Sequence, residues 1–184
     1  AWGTDVNTFG LDNVFAYTAA ADEGGFLNGA MAAYMSESGT IGVVGPIEAG
    51  DAKLYVDGFV AGAQAVNPEV QVLVNYIGSF SDVTLATEAA NTFVANGADI
   101  LTGSAQMVTG AIAVAKTNDL LWFGTQASQA ELAEGAGAMY QVYRWDGILH
   151  DMIAKIQSGT LGGEAYTLTL ANGGLQMIMG QAGG

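Results

Sequence analysis

Apolar residues recur along this chain with two alternating periods. Short runs of β-branched and aliphatic residues fall at 14–18, 41–44, 70–76, 99–102, 120–123 and 139–143, and longer segments with a three-to-four-residue repeat separate them. The short runs predict buried strands and the longer repeats predict amphipathic helices. Helices are expected over 22–36, with Leu27, Met31, Tyr34 and Met35 on one face, and over 51–66, with Tyr55, Phe59 and Ala63 inward. Two more are expected over 82–96, with Leu85, Ala89 and Phe93 at helical spacing, and over 106–118, with Val108, Ala111, Ile112 and Ala115. A helix capped by Asp146 carries Leu149, Met152, Ile153 and Ile156 as one apolar stripe. This alternation is the pattern of βαβ units, so the fold class is α/β with a parallel sheet flanked by helices. The tail changes character: 165–170 and 175–179 flank a glycine-rich turn at 171–174, which reads as a β-hairpin, and 180–184 reads as a frayed end.

With 184 residues and 51% hydrophobic content, the chain is long enough for one good core or two small lobes. Its 18 acidic against 4 basic residues give a formal net charge of -14, which repels phosphate backbones and anionic lipid, so no nucleic-acid partner is expected. The basic residues Lys53, Lys116, Arg144 and Lys155 are scattered singly and form no basic patch. The absence of cysteine removes disulfides, thiolate metal sites and cysteine nucleophiles. No apolar run of about 18 residues escapes polar interruption, so no membrane span is expected. The chain opens on Ala1 without a signal-peptide or lipidation pattern, the expectation for a processed chain or a piece of a longer one.

Candidate chemistry gathers where strands give way to helices, the place where open α/β sheets bind ligands. Phe80 follows the 70–76 strand through a glycine turn and precedes a helix that Ser81 or Asp82 can cap. Two readings stand for it: a ligand platform, or a hydrophobic staple before the cap. Gly103, Ser104, Ala105 and Gln106 form a second strand-to-helix turn, open to close approach by a phosphate or a hydroxylated sugar, or simply a tight turn. It is neither a P-loop nor a dinucleotide fingerprint. A third turn, 124–129, contains Gln126, whose amide both donates and accepts; a solvated loop is the alternative. Arg144, between Tyr143 and Trp145, suits a ligand oxygen, a ring, or a surface pair with Asp146. Trp122 reads as core, and His150, with no histidine or cysteine beside it, reads as solvated or packed rather than as a metal ligand. Asp51 reads as a helix cap and Asp57 as part of a solvated face. No nucleophile elbow and no convergent acid/base pair appears, so neither a catalytic residue nor a cofactor is expected.

The ordered series Asn13-Val-Phe-Ala-Tyr17, Glu23-Gly-Gly-Phe-Leu-Asn-Gly-Ala30, Ile41-Gly-Val-Val-Gly-Pro46, Asp57-Gly-Phe-Val-Ala-Gly62, Val66-Asn-Pro68, Gly78-Ser-Phe-Ser-Asp82, Gly97-Ala-Asp99 and Leu170-Ala-Asn-Gly-Gly174 resembles the basic membrane protein family. These are bacterial solute-binding lipoproteins of ABC transporters, purine nucleoside receptors among them. The resemblance implies a type I periplasmic-binding-protein-like fold, here matching mainly the second of two lobes. Residues 1–18 would be a crossover or residual first-lobe segment, 19–145 the ligand-binding α/β lobe, and 146–184 a returning helix and β-hairpin. It further implies a ligand site in which Phe80 stacks on a ring and the loop Gly103, Ser104 and Gln106 lies against the solute. Arg144 stands where nucleoside receptors place a lysine, Asp5 matches an acid after the last first-lobe strand, and Gln126 stands where those receptors have an aspartate that grips ribose. The implied partners are a small polar solute, a nucleoside among the candidates, and an ABC permease, at the periplasmic or extracellular membrane face, with membrane attachment only through a lipid anchor outside this chain. A sensor or structural protein reusing the fold, or a nucleoside-processing enzyme, are the alternatives.

Overall fold

The computed structural model describes residues 7–183. Its strands and helices alternate: β1 (Phe15–Ala19), α1 (Ala21–Met35), β2 (Thr40–Gly45), α2 (Gly50–Val66), β3 (Gln71–Tyr76), α3 (Val83–Ala95), β4 (Ile100–Gly103), α4 (Val108–Thr117), β5 (Leu121–Gly124), α5 (Gln129–Leu132), β6 (Gly137–Tyr143), α6 (Asp146–Gln157), β7 (Glu164–Leu168) and β8 (Leu175–Met179). The main sheet runs β3-β2-β4-β5-β6-β8, with every pairing parallel except β6 with β8. Because β3, β2, β4, β5 and β6 run parallel, the loops at their carboxyl ends all open onto one side, and the strand order turns back there between β2 and β4.

Two apolar layers sandwich this sheet. On one face Tyr55, Phe59 and Ala63 of α2 pack with α1 over Ile41, Val43, Ile100 and Phe123. On the other, Ala89 and Phe93 of α3 and Val108, Ala111 and Ile112 of α4 cover Val44, Leu101 and Trp122. Trp122 and Phe59 are fully buried, and Phe59 stabilises by roughly 1.5–3 kcal/mol through the apolar surface it removes from water.

The expected inward face of α1 is corrected. Leu27 and Tyr34 point outward, 40% and 79% exposed, and Met31 and Met35 are only partly buried. The buried face is instead Gly24, Gly25, Asn28, Gly29, Ala32 and Ala33. These small residues let α1 and α2 approach closely: a Cβ at Gly29 would overlap the Phe59 carbonyl, and one at Gly62 the Phe26 carbonyl. The α6 stripe is corrected likewise, since Met152 is buried while Leu149, Ile153 and Ile156 remain half-exposed. Asp146 is the first helical residue rather than the cap, which is Trp145, and Asp51 lies within the first turn of α2 behind the cap residue Ala49.

The tail hairpin is also corrected. β7 pairs in parallel with β1, Phe15 opposite Glu164 through Ala19 opposite Leu168, while β8 pairs antiparallel with β6. The intervening turn carries the chain from one sheet to the other and is fixed by Asn172, whose Oδ1 accepts the Thr169 and Gly174 amides. Periodicity identifies a segment as extended without choosing its partner, and the open edge of β6 takes β8. The expected fray at the end is replaced, through Gly183, by a short 3₁₀ turn (Gln181–Gly183), with the Gly180 amide donating to the Ala138 carbonyl at 2.7 Å. Among the described residues no helix is long and apolar enough to cross a membrane.

Candidate functional site

The carboxyl ends of the parallel strands open into a cavity of about 750 Å³. One wall comprises the loops after β3, β4 and β5. Phe80 lines it and is 48% exposed. Its loop is tightly built: Ser79 Oγ accepts the Ser81 and Asp82 amides, and Asp82 caps α3 by accepting the Leu85 amide at 3.0 Å. Phe80 therefore sits two residues before the cap, one earlier than a hydrophobic staple. Its carbonyl accepts the Met107 amide at 3.1 Å, which ties this loop to the next.

That next loop brings Ser104, Ala105 and Gln106 to the cavity. Ala105 has φ 68°, a left-handed conformation uncommon for a residue with a side chain. The Ser104 hydroxyl is buried and has no hydrogen-bond partner among the described residues. Gly103 stands just behind: its carbonyl accepts Thr125 Oγ1 at 3.2 Å, and it is not among the lining residues. After β5, Gln129 folds back so that its Oε1 accepts the Thr125 amide at 2.9 Å, which spends that amide on shaping the loop. Gln126 lines the cavity. The polar wall thus offers the hydroxyls of Ser104, Thr125 and Ser128 and the carboxamides of Gln106 and Gln126.

The remaining aromatic part of the lining was not foreseen as a unit. Tyr17 of β1, Tyr55 and Asp51 of α2, Tyr143 of β6 and Trp145 make it up. Trp145 stacks on Tyr143 with ring centroids 5.6 Å apart and meets Tyr17 edge-on at 5.5 Å. Beneath them Asn28 Nδ2 donates to the Tyr55 hydroxyl at 2.9 Å and to the Gly124 carbonyl at 3.0 Å. Thr102 Oγ1 donates to the Phe123 carbonyl at 2.8 Å, so the Tyr55 hydroxyl is the donor in its 2.7 Å bond to Thr102. Burial pushes the Tyr55 phenol up to about 12, against the opposing pull of these hydrogen bonds. Tyr143 is also raised, first by burial and then by the negative charge of Asp51.

Arg144 does not line the cavity. Its Nε donates to Asp146 at 3.2 Å and its Nη1 to Gln176 at 3.2 Å. That ion pair, then the backbone, holds the Asp146 carboxyl below the usual carboxylate range. Of the expected site residues, Phe80, Ser104, Gln106 and Gln126 therefore meet at one cavity, while Gly103 and Arg144 stand outside its lining. Asp5 lies outside the described residues. His150 is exposed, and among the described residues no three His, Cys, Asp or Glu side chains cluster to hold a metal.

Residues 3–181 match the family described as ABC transporter substrate-binding protein PnrA-like. The chain belongs to this family. A purine-binding protein of Brucella abortus is 30% identical over 149 residues, covering 81% of this chain and 42% of that protein. The ABC transporter nucleoside-binding protein BmpA of Lactococcus lactis is 27% identical over 92% of this chain and 54% of its own length. An ABC transporter solute-binding protein of Aeropyrum pernix superposes with a TM-score of 0.84 at 22% identity, over 95% of this chain and 52% of that one, and shows the periplasmic-binding-protein-like fold. The chain spans about half the length of the curated relatives it matches.

Proposed function

We propose that this chain supplies the ligand-holding lobe of an extracytoplasmic ABC-transporter component that captures a small, polar, ring-bearing solute for a permease and performs no chemistry on it. The observation that carries this reading is the half-exposed ring of Phe80 in the cavity at the carboxyl ends of the parallel strands, beside the unpartnered hydroxyl of Ser104. An exposed aromatic face suits a flat ring, and Ser104, Gln106 and Gln126 suit its polar edges. The family match and the purine- and nucleoside-binding relatives support a nucleoside as the first candidate. Family membership also supports a location at the outer face of the cytoplasmic membrane.

Gln126 bears on the choice of solute. A neutral amide is a weaker acceptor for hydroxyls than a carboxylate, so recognition leans on the ring and its edge more than on a ribose. Among the described lining residues Asp51 is the only carboxylate. The test is calorimetric titration of the purified protein with purine and pyrimidine nucleosides, their free bases and ribose. Binding of ring-bearing solutes without binding of ribose is expected. Binding of ribose or other ring-free polyols with no response to any base or nucleoside overturns the reading.

A further inference from the structure

The loop after β4 holds hydrogen-bonding groups that the fold leaves without a use. The Ser104 hydroxyl is buried, Ser104 lines the cavity, and the hydroxyl has no partner among the described residues. Nor does any described residue bond the amides of Ser104, Ala105 or Gln106. The neighbouring loops differ. After β5 the Thr125 amide is held by Gln129 Oε1 at 2.9 Å, and after β3 the Ser81 and Asp82 amides are held by Ser79 Oγ. Burying a polar group without a partner costs free energy, and Ala105 adds a left-handed backbone, φ 68°, that a residue with a side chain adopts at a cost. Open amides beside such a residue make the kind of turn that receives an oxygen atom. The donors are neutral, since none of the four basic residues of the chain lines the cavity, and a net charge of -14 opposes the approach of an anion. The oxygen that suits them is therefore uncharged.

We propose that Ser104 is a specificity-determining residue whose hydroxyl, with the open amides of its loop, holds a carbonyl oxygen on the edge of the ring that Phe80 carries. This deepens the solute-binding reading and rests on the cavity being the ligand site. The Met107 amide donates to the Phe80 carbonyl at 3.1 Å and ties the two loops together, so the edge of a ring lying on Phe80 comes next to these donors. Backbone amides only donate. A ring carbonyl satisfies them, whereas an amino group in the same place meets them with donors of its own and leaves them unpaired. The preferred solute class is then an oxo-substituted heterocycle, such as a 6-oxopurine, over its amino-substituted counterpart.

The test is calorimetry at pH 7 with inosine, adenosine and purine riboside, which carry an oxo group, an amino group and a hydrogen at the same ring carbon. Inosine is expected to bind the unaltered protein about tenfold or more tighter than adenosine, the scale of a satisfied against an unsatisfied donor, and tighter than purine riboside. Ser104→Ala is expected to lower inosine affinity by about three- to tenfold and to change purine riboside affinity by less than about twofold. Ser104→Thr, which keeps the hydroxyl, retains the inosine preference. A merely structural Ser104 would weaken all three ligands alike. Adenosine bound as tightly as inosine, an inosine preference unchanged in Ser104→Ala, or a parallel loss of all three overturns the assignment and leaves the Phe80 platform standing. Binding of none of the three overturns it too, and the ring-binding reading falls with it only if free bases and pyrimidine nucleosides also fail to bind.

Discussion

The two walls of the cavity are built over different lengths of chain. The polar wall consists of three loops, each made of consecutive residues between a strand and a helix, and each fixed chiefly by bonds within itself and to the next loop, as at Ser79, Asp82, Thr125 and Gln129. The aromatic wall draws Tyr17, Asp51, Tyr55, Tyr143 and Trp145 from β1, α2, β6 and the turn before α6. It depends on the core, because Tyr55 is anchored by Asn28 of α1 and Thr102 of β4. A local wall changes one loop at a time, whereas a wall gathered from distant elements shifts only with the packing that gathers it.

The largest expected effect comes from removing what seats the aromatic wall. Phe59 is fully buried one turn beyond Tyr55 on α2, so Phe59→Ala is expected to cost about 3–5 kcal/mol in urea denaturation through the cavity it leaves. A loss within the range of a surface substitution would mean that α2 is not the keystone of that wall.

Next is Tyr55→Phe, which leaves the Asn28 amide and Thr102 hydroxyl without their shared partner and is expected to cost roughly 1–3 kcal/mol. The same residue gives a pH signature. Its folded pKa of about 12 lies above the ordinary tyrosine value of 10.0. The folded state therefore favours the protonated phenol, and the associated stability is fully present below pH 10 and declines as pH rises from 10 to 12. Tyr55→Phe is expected to flatten that alkaline decline in denaturant midpoints measured across the range. An unchanged slope would assign it to other groups.

The smallest effect belongs to the polar wall. Asp82→Ala removes one helix cap and is expected to cost about 1 kcal/mol, with faster amide exchange confined to the Phe80 loop and the first turn of α3. Exchange that also quickens around Tyr55 would show that the walls are coupled.

This division also explains what was legible in the sequence. The β-branched runs marked the parallel strands, and the strand–turn–helix punctuation marked the loops that carry Phe80, Ser104, Gln106 and Gln126, because both signals are contained in neighbouring residues. Asp51 looked like a helix cap and Tyr17 like an ordinary strand residue, since nothing local announces that they face the same space. Around Arg144 the composition drew attention to a residue that stands outside the cavity lining. Tyr143 and Trp145 line the cavity while Arg144 between them reaches Asp146 and Gln176. The face of α1 was misread because its buried side is glycine and alanine, which carry little hydrophobic signal although they set the distance to α2. The tail strands were assigned to each other because a glycine turn is visible locally and the free edge of β6 is not.

The central claim, that Phe80 is the platform for a flat solute, is tested most directly by calorimetric comparison of the unaltered protein with Phe80→Ala, using the tightest-binding base or nucleoside from the titration panel. The expected loss is about 1–3 kcal/mol, on the order of tenfold or more in affinity, with Phe80→Tyr retaining most of the binding. Unchanged affinity in Phe80→Ala would contradict it.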